Sequence, residues 1–202
     1  MSRAGERIFI TGGAGRIETV LDRPEGAPRG LALVAHPHPL YGGTLDNKVV
    51  QTLARTFVEL GYASLRPNFR GVGASEGAHD EGRGETEDLL SVIARAGQDF
   101  GDLPLVLAGF SFGAAVQTQV AQRTHPARVV LVGVAVGRFP SETVPPDSIV
   151  IHGERDDTVP LARVLDWARP QELPVVVIPG ADHFFHQRLN IIKSIVRNSW
   201  RY

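Results

Sequence analysis

The chain has 202 residues, of which 43% are hydrophobic and 21% charged, with a formal net charge of −1 at pH 7. This near-neutral charge gives no support to a nucleic-acid partner or to an anionic membrane surface. The chain has no cysteine, which excludes disulfides, thiolate metal ligands and a cysteine nucleophile.

The length and the composition predict one globular domain that spans residues 1–202. Residues Met1–Arg7 are polar and charged, and no apolar run approaches the ~20 residues of a membrane span. We therefore expect no signal peptide, no membrane partner and a cytoplasmic location. The sequence leaves open whether the protein is a monomer or a homodimer.

The first predicted strands are Arg7–Thr11 and Ile17–Leu21, joined at Gly12–Gly15. This glycine-rich turn imitates a dinucleotide-binding loop. However, the third glycine of that fingerprint would fall at Glu18, and the following residues alternate like a strand instead of opening a helix. The pattern therefore favours a hairpin, and no nicotinamide or other cofactor is expected.

From Gly30 onward, predicted strands and helices alternate, which favours an α/β fold with a mostly parallel sheet of about eight strands. The later predicted strands are Gly30–Ala35, Tyr62–Arg66, Leu105–Ala108, Val129–Val136, Ser148–His152 and Val175–Ile178. The predicted helices are Asn47–Leu60, Glu85–Ala96, a helix that ends near Gln122, Leu161–Ala168, and a last one from Phe185 to about Trp200.

A serine lies at the junction of a predicted strand and a predicted helix. Ser111 follows the apolar run Leu105–Ala108, with Gly109 and Gly113 two residues to either side. A strand–turn–helix with Gly-x-Ser-x-Gly exposes the serine hydroxyl on a strained turn and predicts a nucleophile. A second match, centred on Ser75, has loop composition on both sides and is not expected to be one.

A serine nucleophile needs a base and an acid that orients the base. In a parallel sheet these come from loops at the carboxyl ends of other strands. The strand Ser148–His152 leads to Asp156 and Asp157, and the strand Val175–Ile178 leads to His183. The chain order is then Ser, Asp, His.

These residues resemble the α/β-hydrolase superfamily over nearly all of the chain after residue 15. The resemblance implies Asp156 as the acid, three residues before Val159-Pro160, and His183 as the base, with His186 structural. The segments His36–Val50 and Asn68–Gly77 are similar to a small lidless bacterial subgroup, dienelactone-hydrolase- and esterase-like. That likeness implies an eight-stranded sheet and ester-type hydrolysis.

Two backbone N–H groups must stabilise the oxyanion that forms during such a reaction. One is expected from Phe112, directly after the nucleophile. The second is expected from the loop after Gly30–Ala35, where two prolines leave His38, Leu40 or Tyr41 as donor. The family's His-Gly-x turn favours His38, then Leu40.

The segment Gly137–Asp147 lies where many hydrolases of this fold insert a lid, and it is too short for one. An open site favours small acyl substrates. Five phenylalanines are candidates for the lining of an acyl pocket, although aromatic residues at such positions more often belong to the core: Phe110, Phe112, Phe139, Phe184 and Phe185.

The sequence thus predicts a serine hydrolase that cleaves small-molecule acyl esters or thioesters through an acyl-Ser111 intermediate. The alternatives are a non-catalytic scaffold with the same fold and a metal-dependent hydrolase that uses His36 and His38 as ligands. Prolines dominate the loop that carries these two histidines, which argues against a metal site.

Overall fold

The computed structural model describes residues 5–200, and eight strands in this range form one sheet. The strands are β1 (Glu6–Gly12), β2 (Gly15–Asp22), β3 (Leu31–Ala35), β4 (Ala63–Pro67), β5 (Leu105–Phe110), β6 (Arg128–Val132), β7 (Ile149–Gly153) and β8 (Val175–Ile178). The helices are α1 (Lys48–Glu59), α2 (Arg83–Phe100), α3 (Phe112–Arg123), α4 (Leu161–Ala168) and α5 (Leu189–Ser199). None of the helices in residues 5–200 combines the length and the apolar character needed to cross a bilayer.

The order of the strands across the sheet is β1-β2-β4-β3-β5-β6-β7-β8. The pairs β1–β2 and β2–β4 are antiparallel, and every other neighbouring pair is parallel. The prediction of an α/β fold with a mostly parallel sheet is therefore confirmed. Because β5 lies inside the parallel part, the serine that follows it faces loops from β3, β6, β7 and β8.

Helices cover both faces of the sheet, and each face has its own apolar layer. Helices α1 and α5 pack on one face together with Phe110 of β5, whereas α2, α3 and α4 pack on the other with Leu107. Because successive side chains of a strand point to opposite faces, a strand covered on both sides must be apolar throughout. This explains the unbroken apolar runs of β3 and β5.

The glycine-rich segment between β1 and β2 is a hairpin turn, as predicted. Gly12 pairs with Gly15 at the end of the antiparallel ladder, and Gly15 has a φ of 120°. The chain continues directly into β2 without a helix, so no helix N-terminus is available here to bind a pyrophosphate.

The predicted strand Val129–Val136 is too long at its C-terminal end. The strand β6 ends at Val132 because Gly133 turns the chain with a φ of 54°. Beyond it, the N–H of Ala135 donates to the carbonyl of Ser111 at 3.3 Å. These apolar residues are buried against the serine turn, so hydrophobicity alone could not separate them from the strand.

Two predicted helices also have different starts. The last helix begins at Leu189, because Phe185 and Gln187 have positive φ values of 53° and 58° and cannot belong to a helix. Helix α2 begins before Glu85, whose carboxylate accepts from the Gly82 N–H at 2.9 Å, and it extends to Phe100.

A buried polar network joins the hairpin to the loop after β4. The Ser75 hydroxyl accepts from the Glu18 N–H at 2.9 Å and donates to the Asn68 carbonyl at 2.8 Å. The Glu18 carboxylate accepts from the Asn68 amide and from the Ala74 N–H, both at 2.8 Å. Asn68 also accepts from the Leu45 N–H at 2.8 Å. Ser75, the second Gly-x-Ser-x-Gly serine, is thus fully used in this network.

Electrostatics keep the buried Glu18 carboxylate ionised. Burial acts to raise the pKa of Glu18, but hydrogen bonds from Ala74 and Asn68 and the positive charges of Arg7 and Arg16 outweigh this effect. The net result is a pKa below the usual range. The network therefore has an acceptor with full charge at its centre.

Replacing Ser75 with alanine should destabilise the fold by about 1–3 kcal/mol, because one buried N–H and one buried carbonyl lose their partner. The free energy of unfolding can be measured with urea. Ser91→Ala is the control, since the Ser91 hydroxyl forms an exposed hydrogen bond, to the Glu87 carbonyl of its own helix. Equal unfolding midpoints for the two variants would contradict this account.

Candidate active site

Ser111 occupies the sharp turn between β5 and α3, with φ 56° and ψ −116°. A non-glycine residue in this region costs about 1–3 kcal/mol and persists only when its surroundings fix it. Here the Ser111 N–H donates to the carbonyl of Val132 at 2.9 Å, and the Ser111 carbonyl accepts from the Ala115 N–H at 3.1 Å. The hydroxyl does not cap α3, although serine is a favoured capping residue.

The two glycines of the turn are required by close backbone contacts. A Cβ added at Gly109 would lie 2.6 Å from the nitrogen of Ala114 and from the carbonyl of Gly113. A Cβ added at Gly113 would lie 2.4 Å from the carbonyl oxygen of His36 and 2.5 Å from that of Ala35. The second contact brings the loop after β3 directly against the start of α3.

The structure brings the three residues predicted for catalysis into one hydrogen-bonded chain. The Ser111 Oγ lies 3.0 Å from His183 Nε2, and His183 Nδ1 lies 2.6 Å from Asp156 Oδ2. A carboxylate can only accept, so Nδ1 carries a proton and Nε2 of the neutral ring is free to accept from the serine hydroxyl. All three side chains are buried.

Asp156 is held by the loop that follows β7. Its Oδ1 accepts from the N–H groups of Thr158 at 3.0 Å and Val159 at 2.7 Å, which leaves Oδ2 for His183. Asp157, the other aspartate that the sequence left open, is exposed. Asp156, and not Asp157, is therefore the aspartate in contact with His183.

His186 has a different environment from His183. It is exposed, and its Nδ1 lies 2.5 Å from the carboxylate of Asp182. The hydrogen bond from His186 is the main cause that lowers the pKa of Asp182. His186 thus forms a hydrogen bond with Asp182 at the surface and is not buried among apolar side chains.

Two backbone N–H groups beside the serine turn, those of Phe112 and His38, have no acceptor in residues 5–200. Phe112 is the first residue of α3, where an N–H has no partner within the helix. The N–H of Leu40 donates to His38 Nδ1 at 3.2 Å, and that of Tyr41 donates to the His38 carbonyl at 3.1 Å. Of the three donors that the sequence left open, only His38 keeps its N–H available.

His36 is a buried anchor between two loops. Its Nδ1 donates to the carbonyl of Pro37 at 2.6 Å, and its Nε2 accepts from the Phe69 N–H at 2.9 Å. Burial lowers the pKa of His36 to about 4, so the ring stays neutral. Both ring nitrogens are engaged, and residues 5–200 contain no group of three or more His, Asp or Glu side chains placed to hold a metal.

The His38 ring packs within a cluster of rings beside the serine turn. Burial, reinforced by the nearby His79, lowers the pKa of His38. The neutral ring can therefore keep accepting from the Leu40 N–H. Its centroid lies 4.6 to 5.1 Å from the four other rings of the cluster, which belong to Tyr41, His79, Phe112 and Phe139.

Only some of the five phenylalanines considered for an acyl pocket reach the surface. Phe110, Phe112 and Phe185 are fully buried, Phe139 is partly buried, and Phe184 is 55% exposed. The sequence missed two further apolar side chains at this end of the sheet, Leu40 and Tyr41, which are 69% and 83% exposed. Tyr41 contacts the His38 ring, and Phe184 contacts the His183 ring at 5.3 Å.

Sequence reasoning also missed His152, a buried histidine of β7. Its Nε2 lies 2.8 Å from the Val159 carbonyl and 3.4 Å from Asp156 Oδ2. In the sequence it only ends an apolar strand, and a lone histidine in that position gives no signal of a contact with a residue four positions later.

A strained serine after β5, hydrogen-bonded through a histidine to a buried aspartate, is the site arrangement of the α/β serine hydrolases. The chain matches the family model described as "Serine aminopeptidase, S33" over residues 26–172, and it belongs to this family of α/β hydrolases.

Two solved structures and one curated relative are similar over most of their length. XC6422 from Xanthomonas campestris, described as an a/b serine hydrolase without lid, is 32% identical with a TM-score of 0.92, over 98% of this chain and 94% of that one. A serine hydrolase homologue from Coxiella burnetii is 38% identical with a TM-score of 0.88, over 98% of each chain. The uncharacterized protein RP471 of Rickettsia prowazekii is 32% identical over 90% of this chain and 83% of its own.

Gly113→Ala should destabilise the protein by about 1–3 kcal/mol, because the new methyl group overlaps two carbonyl oxygens of the loop after β3. Gly97→Ala is the matched control, since its added methyl group meets nothing within 4 Å in helix α2. It should instead stabilise by about 0.5–1 kcal/mol. Urea unfolding of both variants measures the difference in the free energy of unfolding. An unchanged free energy of unfolding in Gly113→Ala would show that the backbone relieves the close contact without cost.

Proposed function

We propose that this α/β hydrolase cleaves carboxylic ester or thioester bonds of small acyl substrates through an acyl-serine intermediate. The observation that carries the proposal is the chain of two hydrogen bonds, of 3.0 Å and 2.6 Å, from Ser111 through His183 to Asp156. The alternative of a non-catalytic scaffold gives no reason to maintain a strained serine with its hydroxyl directed at an oriented imidazole.

The chemistry follows from the hydrogen positions. His183 Nε2 accepts the proton of the Ser111 hydroxyl as Oγ attacks the acyl carbon, and Asp156 stabilises the imidazolium that forms. The imidazolium then donates its proton to the departing alkoxide or thiolate, which breaks the bond to the leaving group. In the second half, His183 takes a proton from water, which attacks the acyl carbon. The bond to Ser111 Oγ then breaks, the acid is released, and the imidazolium returns its proton to Oγ.

The negative charge that develops on the carbonyl oxygen needs donors aimed at a fixed point. We assign the Phe112 N–H and the His38 N–H to this role, because both are unused in residues 5–200 and both lie beside the serine turn. The start of α3 adds the positive end of its helix dipole. Leu40 is not assigned, because its N–H already donates to the His38 ring.

The surroundings of the site suggest which substrates fit. Residues 133–148 contain no helix, so nothing from this segment folds over Ser111 as a helical lid. The exposed side chains of Leu40, Tyr41 and Phe184 form what we call the apolar rim, next to His38 on one side and His183 on the other. An open site with an apolar rim favours a short apolar acyl group.

Ser111→Ala should abolish labelling by a fluorophosphonate and reduce ester turnover by about five to six orders of magnitude. Intact mass spectrometry after treatment with the probe gives the first result, and initial rates with 4-nitrophenyl acetate give the second. The wild-type protein should carry one adduct.

Ser75→Ala is the matched control, since its serine lies in the same five-residue pattern but is hydrogen-bonded within the fold. It should be labelled like the wild type. An adduct that persists on Ser111→Ala, or an unlabelled wild-type protein, would contradict the proposed nucleophile and favour the scaffold.

The apolar rim should make the enzyme prefer 4-nitrophenyl butyrate to the acetate. Each buried methylene contributes about 0.8 kcal/mol, so the two additional methylenes give up to about a 15-fold higher kcat/KM. The variant Tyr41→Ala/Phe184→Ala should bring the ratio of kcat/KM for the butyrate to kcat/KM for the acetate close to one. Phe9 is an exposed phenylalanine of the edge strand β1, and Phe9→Ala should leave the ratio unchanged. An unaltered ratio in the double variant would exclude Tyr41 and Phe184 from acyl binding.

A further inference from the structure

His152 is a buried side chain next to Asp156, and the proposed mechanism does not use it. It is the fourth residue of β7, fully buried, and precedes Asp156 by four positions. Its Nε2 lies 2.8 Å from the carbonyl oxygen of Val159 and 3.4 Å from Asp156 Oδ2. Burial lowers the pKa of His152, so the ring is neutral and has a single N–H.

The position of that one N–H follows from its partner. A carbonyl oxygen only accepts, so the proton is on Nε2 and is donated to the Val159 carbonyl, while Asp156 Oδ2 lies 3.4 Å from the same nitrogen. The Nδ1 of His152 has no hydrogen-bond partner in the part of the chain that the structure describes. An unpaired buried nitrogen is unfavourable. Within residues 5–200, the only hydrogen bond of the His152 ring is therefore the one that Nε2 donates.

Val159 is tied at both of its backbone groups. Its N–H donates to Asp156 Oδ1 at 2.7 Å, and its carbonyl accepts from His152. His152 therefore closes the loop 153–160 back onto the strand from which the loop starts. Through this closure it holds Val159, the residue whose N–H orients one carboxylate oxygen, and it lies beside the other oxygen.

We propose that His152 is a positioning residue of the reaction, which holds Asp156 so that Oδ2 faces His183. The inference rests on the proposed function, because it gives Asp156 its role. The donor of His152 does not touch the substrate. It limits the movement of the carboxylate, and the carboxylate in turn limits the orientation of the imidazole that takes the proton of Ser111.

The test compares His152→Leu, which removes the donor, with His152→Gln, whose amide nitrogen can take the place of Nε2. His152→Leu should lower kcat by about 10- to 100-fold, the size expected for a misplaced catalytic group, with KM within about twofold. His152→Gln should recover most of the rate. The exposed His125→Leu is the control and should have wild-type kinetics.

A double-mutant cycle separates positioning from a general effect on folding. Combined with Asp156→Asn, His152→Leu should cause no further loss of kcat, because no carboxylate remains to be oriented. A purely structural role would multiply the two losses, and that result would overturn the inference. If His152→Leu does not fold, His152→Asn replaces it, since its shorter amide does not reach Val159. Equal kcat values for the Asn and Gln variants would then overturn the inference.

The same experiments distinguish this inference from the proposed function. Wild-type activity of Asp156→Asn would refute the proposed mechanism itself. A large loss in Asp156→Asn together with wild-type kcat in His152→Leu would leave the mechanism intact and refute only the role of His152.

Discussion

The arrangement of the site depends on the contact between the start of α3 and the end of β3. At Gly113 the two backbones are so close that a single methyl group would overlap the carbonyls of Ala35 and His36. This contact sets the distance between the N–H of Phe112, on the helix, and the N–H of His38, on the loop. In the proposed mechanism, a nucleophile and two donors on different elements must face one point, which requires that this distance is fixed. Glycine permits the close contact that fixes it.

The loop after β3 is in turn fixed by buried polar groups and not by apolar packing alone. His36 accepts from the Phe69 N–H, and the adjacent Asn68 belongs to the network of Glu18 and Ser75. A network of this kind specifies one arrangement because each unpaired member would be costly. The antiparallel hairpin at the edge of the sheet, distant from Ser111 in sequence, thereby contributes to the geometry of the loop that carries His38.

Patterns in the sequence predicted those parts of the structure that depend on local rules. The strand–turn–helix around Ser111 follows from steric requirements at Gly109 and Gly113, and parallel strands place their following loops at one edge of the sheet. The end of β6 and the contact of His152 with Asp156 were not predicted. They depend on a turn at Gly133 and on a loop closure at Val159, and both are set by tertiary contacts that hydrophobic periodicity does not contain.

The buried carboxylate of Asp156 is balanced by hydrogen-bond donors and not by a fixed positive charge. Its hydrogen-bond partners are two backbone N–H groups and the ring of His183. The His152 ring lies 3.4 Å away, and no lysine or arginine in residues 5–200 forms an ion pair with the carboxylate. A permanent cation at this position would already neutralise the carboxylate in the resting state. Dipoles hold its orientation and leave its charge available, so that in the proposed mechanism it acts on the imidazolium as that cation forms.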